Sequence, residues 1–122
     1  MSAEKKLDPA IMAHSTGSET FYRHPLARKV VYTEGVQYVA ETVGAYWLLD
    51  EIALMNMGLP SLAATEFQVW TLTVRPDSTA TLACSDGNEN IVYSKELTFT
   101  DFPQEGVTLW FQNNTILLPS EY

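Results

Sequence analysis

The sequence predicts an α+β domain in which helical segments pack on one face of a four- to five-stranded antiparallel meander sheet. Apolar residues between Thr33 and Gly58 recur at helical three-and-four spacing, whereas from Phe67 onward they alternate with Thr and Ser at a period of two. Turn chemistry separates the alternating segments at "RPDST", "DGNEN", "TDFPQEG" and Asn113-Asn114. A sheet with one polar, Thr-rich face needs apolar cover on the other, and in this chain the helical zone supplies it.

The helical zone opens at Thr33, whose hydroxyl suits an N-cap, and Glu34 complements the positive helix start. Val36 stands where a capping box would need Glu or Gln. Val36, Val39, Ala40, Val43 and Trp47 form one apolar stripe, with Gln37, Glu41 and Thr42 on the other side. Beyond Gly44, "AYWLLDEIALMNM" is apolar on more than one side, which predicts deeper burial after a change of direction at that glycine. Gly58 followed by Pro60 is a stop signal.

Five alternating segments follow. In "FQVWTLTV" the apolar Trp70, Leu72 and Val74 alternate with Thr71 and Thr73, and "TATLACS" answers with Ala80, Leu82 and Cys84, predicting a hairpin. "IVYSKELTF" sets Ile91, Tyr93, Leu97 and Phe99 on one face, and "VTLWFQ" sets Val107, Leu109 and Phe111. Asn113-Asn114 tolerates positive φ, so "LWFQ-NN-TILL" reads as a tight last hairpin.

Composition bounds the function. The 122 residues are 46% hydrophobic and 11% aromatic, which suits one packed core. Residues 1–16 mix charge, Pro and Ser and are expected to form an arm, leaving residues 17–122 as a single domain. The net charge of −8 disfavours direct binding to nucleic-acid phosphates. Residues 1–29 carry five bases and three acids, whereas residues 30–122 carry two bases and twelve acids. One cysteine, Cys84, excludes an internal disulfide, no secretory-leader pattern opens the chain, and the apolar runs are too short to span a bilayer. A cytoplasmic protein without membrane contact is expected.

The candidate chemistry gathers in "FYRHPLARKVVYTEG", a basic and aromatic stretch in an acidic chain. Asp50 and Glu51 interrupt the most apolar part of the helical zone, where a carboxylate needs a partner. One reading fastens the opening segment to the helix through an Arg23 or Arg28 fork on Asp50, with Tyr22 and Tyr32 laid over the core edge and their hydroxyls in water. The sharper reading makes His24, Arg23 and Asp50 or Glu51 an acid–base cluster in a cleft, with Tyr22 orienting a substrate. No nucleophile elbow, phosphate loop or metal-ligand spacing accompanies it, so neither a cofactor nor a metal is expected. Cys84, facing inward on a strand, reads as an inert buried thiol.

The segments "FYRHPL", "VVYTEGVQYVAE", "GAYWLLDEIA", "EFQVW", "FTDFP" and "LPSEY" together resemble an uncharacterised domain-of-unknown-function family of small bacterial and phage proteins, over about residues 17–122. The resemblance implies no activity, cofactor or site residue. It implies an accessory factor of a mobile element, an inhibitor or adaptor acting on host machinery. With the acidic composition, it leads to a protein-binding factor that docks on a partner's basic surface. Two alternatives stand beside that reading. One is a small enzyme built on Tyr22, Arg23, His24 and Asp50. The other is a homo-oligomeric structural protein, such as a homodimer, joined through sheet edges or through Phe67, Trp110 and Tyr122.

Overall fold

The computed structural model describes residues 21–121, and Thr33 caps the first helix among them: its Oγ1 accepts from the Val36 amide at 3.3 Å. Helix α1 (Glu34–Val43) ends where Gly44 turns left-handed at φ 67°, a conformation that suits a residue without Cβ. Helix α2 (Tyr46–Gly58) and the short α3 (Pro60–Ala63) follow. The change of direction at Gly44 and the stop at Gly58 stand where the sequence set them. The expected arm over residues 1–16 lies outside the described residues.

The sheet corrects the expected strand count and pairing. Among the described residues it has seven strands, not four or five: β1 (Phe21–Arg23), β2 (Val31–Thr33), β3 (Phe67–Val74), β4 (Ala80–Ser85), β5 (Ile91–Leu97), β6 (Val107–Gln112) and β7 (Thr115–Leu117). Their order is β1-β2-β7-β6-β3-β4-β5. Only β3 to β5 form the expected meander; β6 returns to the far side of β3. The added strands, β1 and β2, are three residues each, too short for alternation to register in the sequence. β2 runs parallel to β7, Val31 opposite Thr115 and Tyr32 opposite Ile116, which makes the sheet mixed.

The helices cover one face. Val36, Val39, Ala40 and Val43 of α1 and Leu48, Leu49, Ile52 and Ala53 of α2 are buried in the same core as Trp70, Leu72, Leu82, Leu109, Phe111 and Ile116 of the sheet. The opposite face carries Thr71, Thr73, Thr81 and Thr108, with Phe67 and Trp110 packed edge to face at 5.1 Å. Ile91 and Phe99 were expected inside but are 60% and 71% exposed. The register shifts at Ser85, next to Ile91, and Phe99 falls beyond the end of β5 at Leu97.

Candidate functional site

Strand alternation separates neighbours in "FYRH". Tyr22 lies opposite Tyr32, which lies opposite the buried Ile116, so both tyrosines sit on the helix side of the sheet. Arg23, opposite Val31, belongs to the other face, and its Nη1 donates to the Arg28 carbonyl. The two rings stack with centroids 5.6 Å apart and planes 22° apart.

His24 follows this strand and organises the loop behind it. Its amide donates to the Val30 carbonyl at 2.8 Å, and the Val30 amide donates to the Ala27 carbonyl at 2.8 Å. The imidazole, 1% exposed, fills the loop: Nδ1 accepts from the amides of Leu26 at 3.1 Å and Ala27 at 2.9 Å. With Nδ1 acting as acceptor, the ring proton is assigned to Nε2, which donates to Asp50 Oδ1 at 2.7 Å.

Asp50 therefore has a partner, but not the expected one. The Arg23 or Arg28 fork is absent because Arg23 faces away and ties back to Arg28; His24 makes the link between the opening segment and α2. The Asp50 side chain is 50% exposed. Since the imidazole keeps a lone pair for the loop amides, it orients the carboxylate without cancelling its charge. Glu51 is tied elsewhere: it accepts from the Tyr93 hydroxyl at 2.7 Å and from Lys95 Nζ at 3.4 Å, joining α2 to the edge strand β5. Burial, the hydrogen bond to Glu51 and its charge push the Tyr93 phenol up to about 12.

Of the four candidates, the structure brings Tyr22, His24 and Asp50 to one side and leaves out Arg23. It adds Tyr32 and Tyr46. Burial, Tyr22 and the Asp50 charge raise the Tyr32 phenol above its ordinary value. Burial and the hydrogen bond donated to Glu41, 3.0 Å long, raise that of Tyr46, which also feels Tyr32. The sequence had placed Tyr32 at the core edge; Tyr46 it had not singled out, because a helical tyrosine beside Trp47 reads as core.

Two further polar centres escaped the sequence reading. Glu121, from a 3₁₀ turn at Pro119–Glu121, is 8% exposed and reaches the start of α1. It accepts from Thr33 Oγ1 at 2.5 Å, the Leu118 amide at 2.9 Å and the Gly35 amide at 3.1 Å. Gln68, 1% exposed, donates to the Leu62 carbonyl at 2.8 Å and exchanges hydrogen bonds with Asn56, while its Oε1 accepts from Trp70 Nε1 at 2.8 Å. A polar residue alternating inward with Trp70 and Leu72 was the available signal for Gln68. Gln68 and Asn56 also line a cleft of about 400 Å³ with Glu66, Gln112 and Asn113. Cys84 is buried, and burial pushes its thiol up to about 12, as an inert cysteine requires.

A profile described as a family of unknown function (DUF6876) matches residues 9–122. No curated protein and no solved structure matches the chain.

Proposed function

We infer that this chain, which belongs to that family of unknown function, is a small acidic accessory factor that docks on the basic surface of a partner protein. One observation carries the reading: acids outnumber bases among the described residues, and many of the acids are exposed. Residues 21–121 hold twelve acids against five bases, a net charge of −7. Two of those bases are spent on internal pairs, Arg75 with Glu96 at 2.8 Å and Lys95 with Glu51 at 3.4 Å. Glu34, Glu41, Glu66, Glu89 and Glu105 are exposed. Such a field steers association with a basic partner and weakens as salt screens it.

The enzyme alternative asks His24 to exchange protons with a substrate. Its ring is buried and both nitrogens are engaged in hydrogen bonds, which favours a positioning role. The homo-oligomer alternative meets charge on the long edge strand, where Lys95 and Glu96 oppose strand-to-strand pairing. Phe67 and Trp110 already pack on each other. Tyr122 lies outside the described residues. A cytoplasmic setting fits the single buried thiol, and size and charge fit a phage or mobile-element inhibitor or adaptor.

The test is capture of host proteins on the immobilised chain at low and at raised salt. The expected result is a partner with a basic surface that elutes as salt rises and competes with soluble protein. A blank at low salt, or capture indifferent to salt, overturns the proposal.

A further inference from the structure

We propose that two copies of this chain pack open sheet face to open sheet face, about a two-fold axis that runs close to β6. The helices cover the other face, so among the described residues this one has no layer upon it. Strand register draws a single row across it. Trp110 stands opposite Val69 and Leu117, Val69 opposite Ser85, and Ser85 opposite Ile91. On the far side, Thr33 lies one step beyond the Tyr32–Ile116 pair, level with Leu117, and it stands opposite Phe21. Ser85, Val69, Trp110 and Leu117 each alternate with buried neighbours on the helix side, which puts the row on the open face.

The row reads alike from either end. Trp110 is its centre, flanked by apolar Val69 and Leu117, then by hydroxyl-bearing Ser85 and Thr33, and it ends in Ile91 and Phe21, which are 60% and 53% exposed. A two-fold axis along β6 lays such a row on its own copy in reverse order. Trp110 then meets Trp110, Val69 meets Leu117, and Ile91 of one copy covers Phe21 of the other. No charged residue stands in the row, so an acidic chain can bring it against a second copy without burying an unpaired carboxylate. Phe67, packed edge to face on Trp110, widens the patch, and both rings stay partly exposed.

Charges beside the row fit the same axis. β1 leaves the row at Phe21 and carries Arg23 on the open face, with exposed Arg28 and Lys29 in the loop that follows. β4, which runs the same way, leaves the row at Ser85 and enters the loop of Asp86 and exposed Glu89 before β5 returns at Ile91. The basic and acidic segments thus lie at the same end of the strands but at opposite edges of the sheet. An axis parallel to the strands exchanges the edges and keeps the end, so the basic segment of each copy faces the acidic loop of the other. Seven strands and three rows of residues cover about 30 Å by 20 Å, so the contact buries about 1,200 Å² over both copies, the lower end of stable interfaces.

Sedimentation equilibrium of the full-length chain tests this. Wild type is expected to be a dimer that dissociates in the micromolar range. A wild type that stays monomeric across that range overturns the proposal, whether another protein or a further segment of the chain covers the face instead. Val69→Lys sets a charge beside the centre of the row and should weaken the dimer by about tenfold or more. A dimer that tolerates it is joined elsewhere, which overturns the proposal. Arg23→Glu and Glu89→Lys alter exposed side chains and keep the test decisive if Val69→Lys misfolds. Each alone should weaken the dimer several-fold, and together they should recover most of the loss, because the reversed charges attract again across the axis. Losses that simply add in the double variant place the axis elsewhere and overturn the proposal.

Discussion

His24 shows how one side chain can close a loop and aim a neighbour's charge. Its two ring nitrogens face in different directions, one toward the amides of Leu26 and Ala27 and the other toward Asp50. Replacing it leaves two sheltered amides without an acceptor, and each such orphan costs about 1–3 kcal/mol. His24→Ala should therefore lower stability by about 2–4 kcal/mol. Asp50→Asn, at a half-exposed side chain that retains an acceptor, should cost under about 1 kcal/mol. Urea midpoints of the two variants check this, and a larger loss for Asp50→Asn than for His24→Ala would contradict the geometry. Gln68 plays a comparable part in the core, where its amide answers Trp70, Asn56 and the Leu62 carbonyl.

Helix α1 is started jointly by residues far apart in the chain. Thr33 donates to Glu121 while accepting from the Val36 amide, and Glu121 also takes the Gly35 amide. The carboxylate thereby supplies from the far end of the chain what a capping box supplies locally, at the end of the helix where negative charge is favoured. Gly35 lets it approach. A Cβ there would stand 2.7 Å from Glu121 Oε2 and 2.8 Å from Leu118 Cδ1. Alanine normally favours a helix over glycine by about 1 kcal/mol. Here Gly35→Ala should instead destabilise, by about 1–3 kcal/mol, through that clash. Thermal unfolding decides the sign, and a stabilised Gly35→Ala would mean that Glu121 does not hold this position.

Across the whole molecule, the helices are fastened to both edges of the sheet: near β1 by His24 with Asp50, and at β5 by Tyr93 and Lys95 with Glu51. The second link titrates. Tyr93 keeps its proton up to about 12 in the folded chain against an ordinary 10.0. Because the folded value is the higher one, the folded state binds the proton more tightly. Its contribution is intact below pH 10.0 and is lost as pH rises toward about 12. Tyr32 and Tyr46, also raised, act in the same direction. Urea midpoints should fall across that window in wild type and fall less steeply in Tyr93→Phe; parallel curves would contradict the assignment.

Much of this architecture was legible because it is written in local periodicity. The stripe from Val36 to Val43 and the alternation through Trp70, Leu82 and Leu109 each repeat over enough residues to specify a helix or strand and its buried face. Thr33 and Gly44 acted through cap chemistry that depends only on close neighbours. The short β1 and β2, the parallel β2–β7 pairing and the partners of Asp50, Glu51 and Glu121 left no such trace. Each depends on residues brought together from distant parts of the chain, and Thr33 meets Glu121 across 88 positions. Sequence determined which segments are helix or strand and that one needs the other's apolar face, because burial of that face is a property of the segment itself. Only the tertiary structure decided which cation or hydroxyl answers each carboxylate, because a polar side chain must satisfy its hydrogen bonds with whatever the packed fold places within about 3 Å.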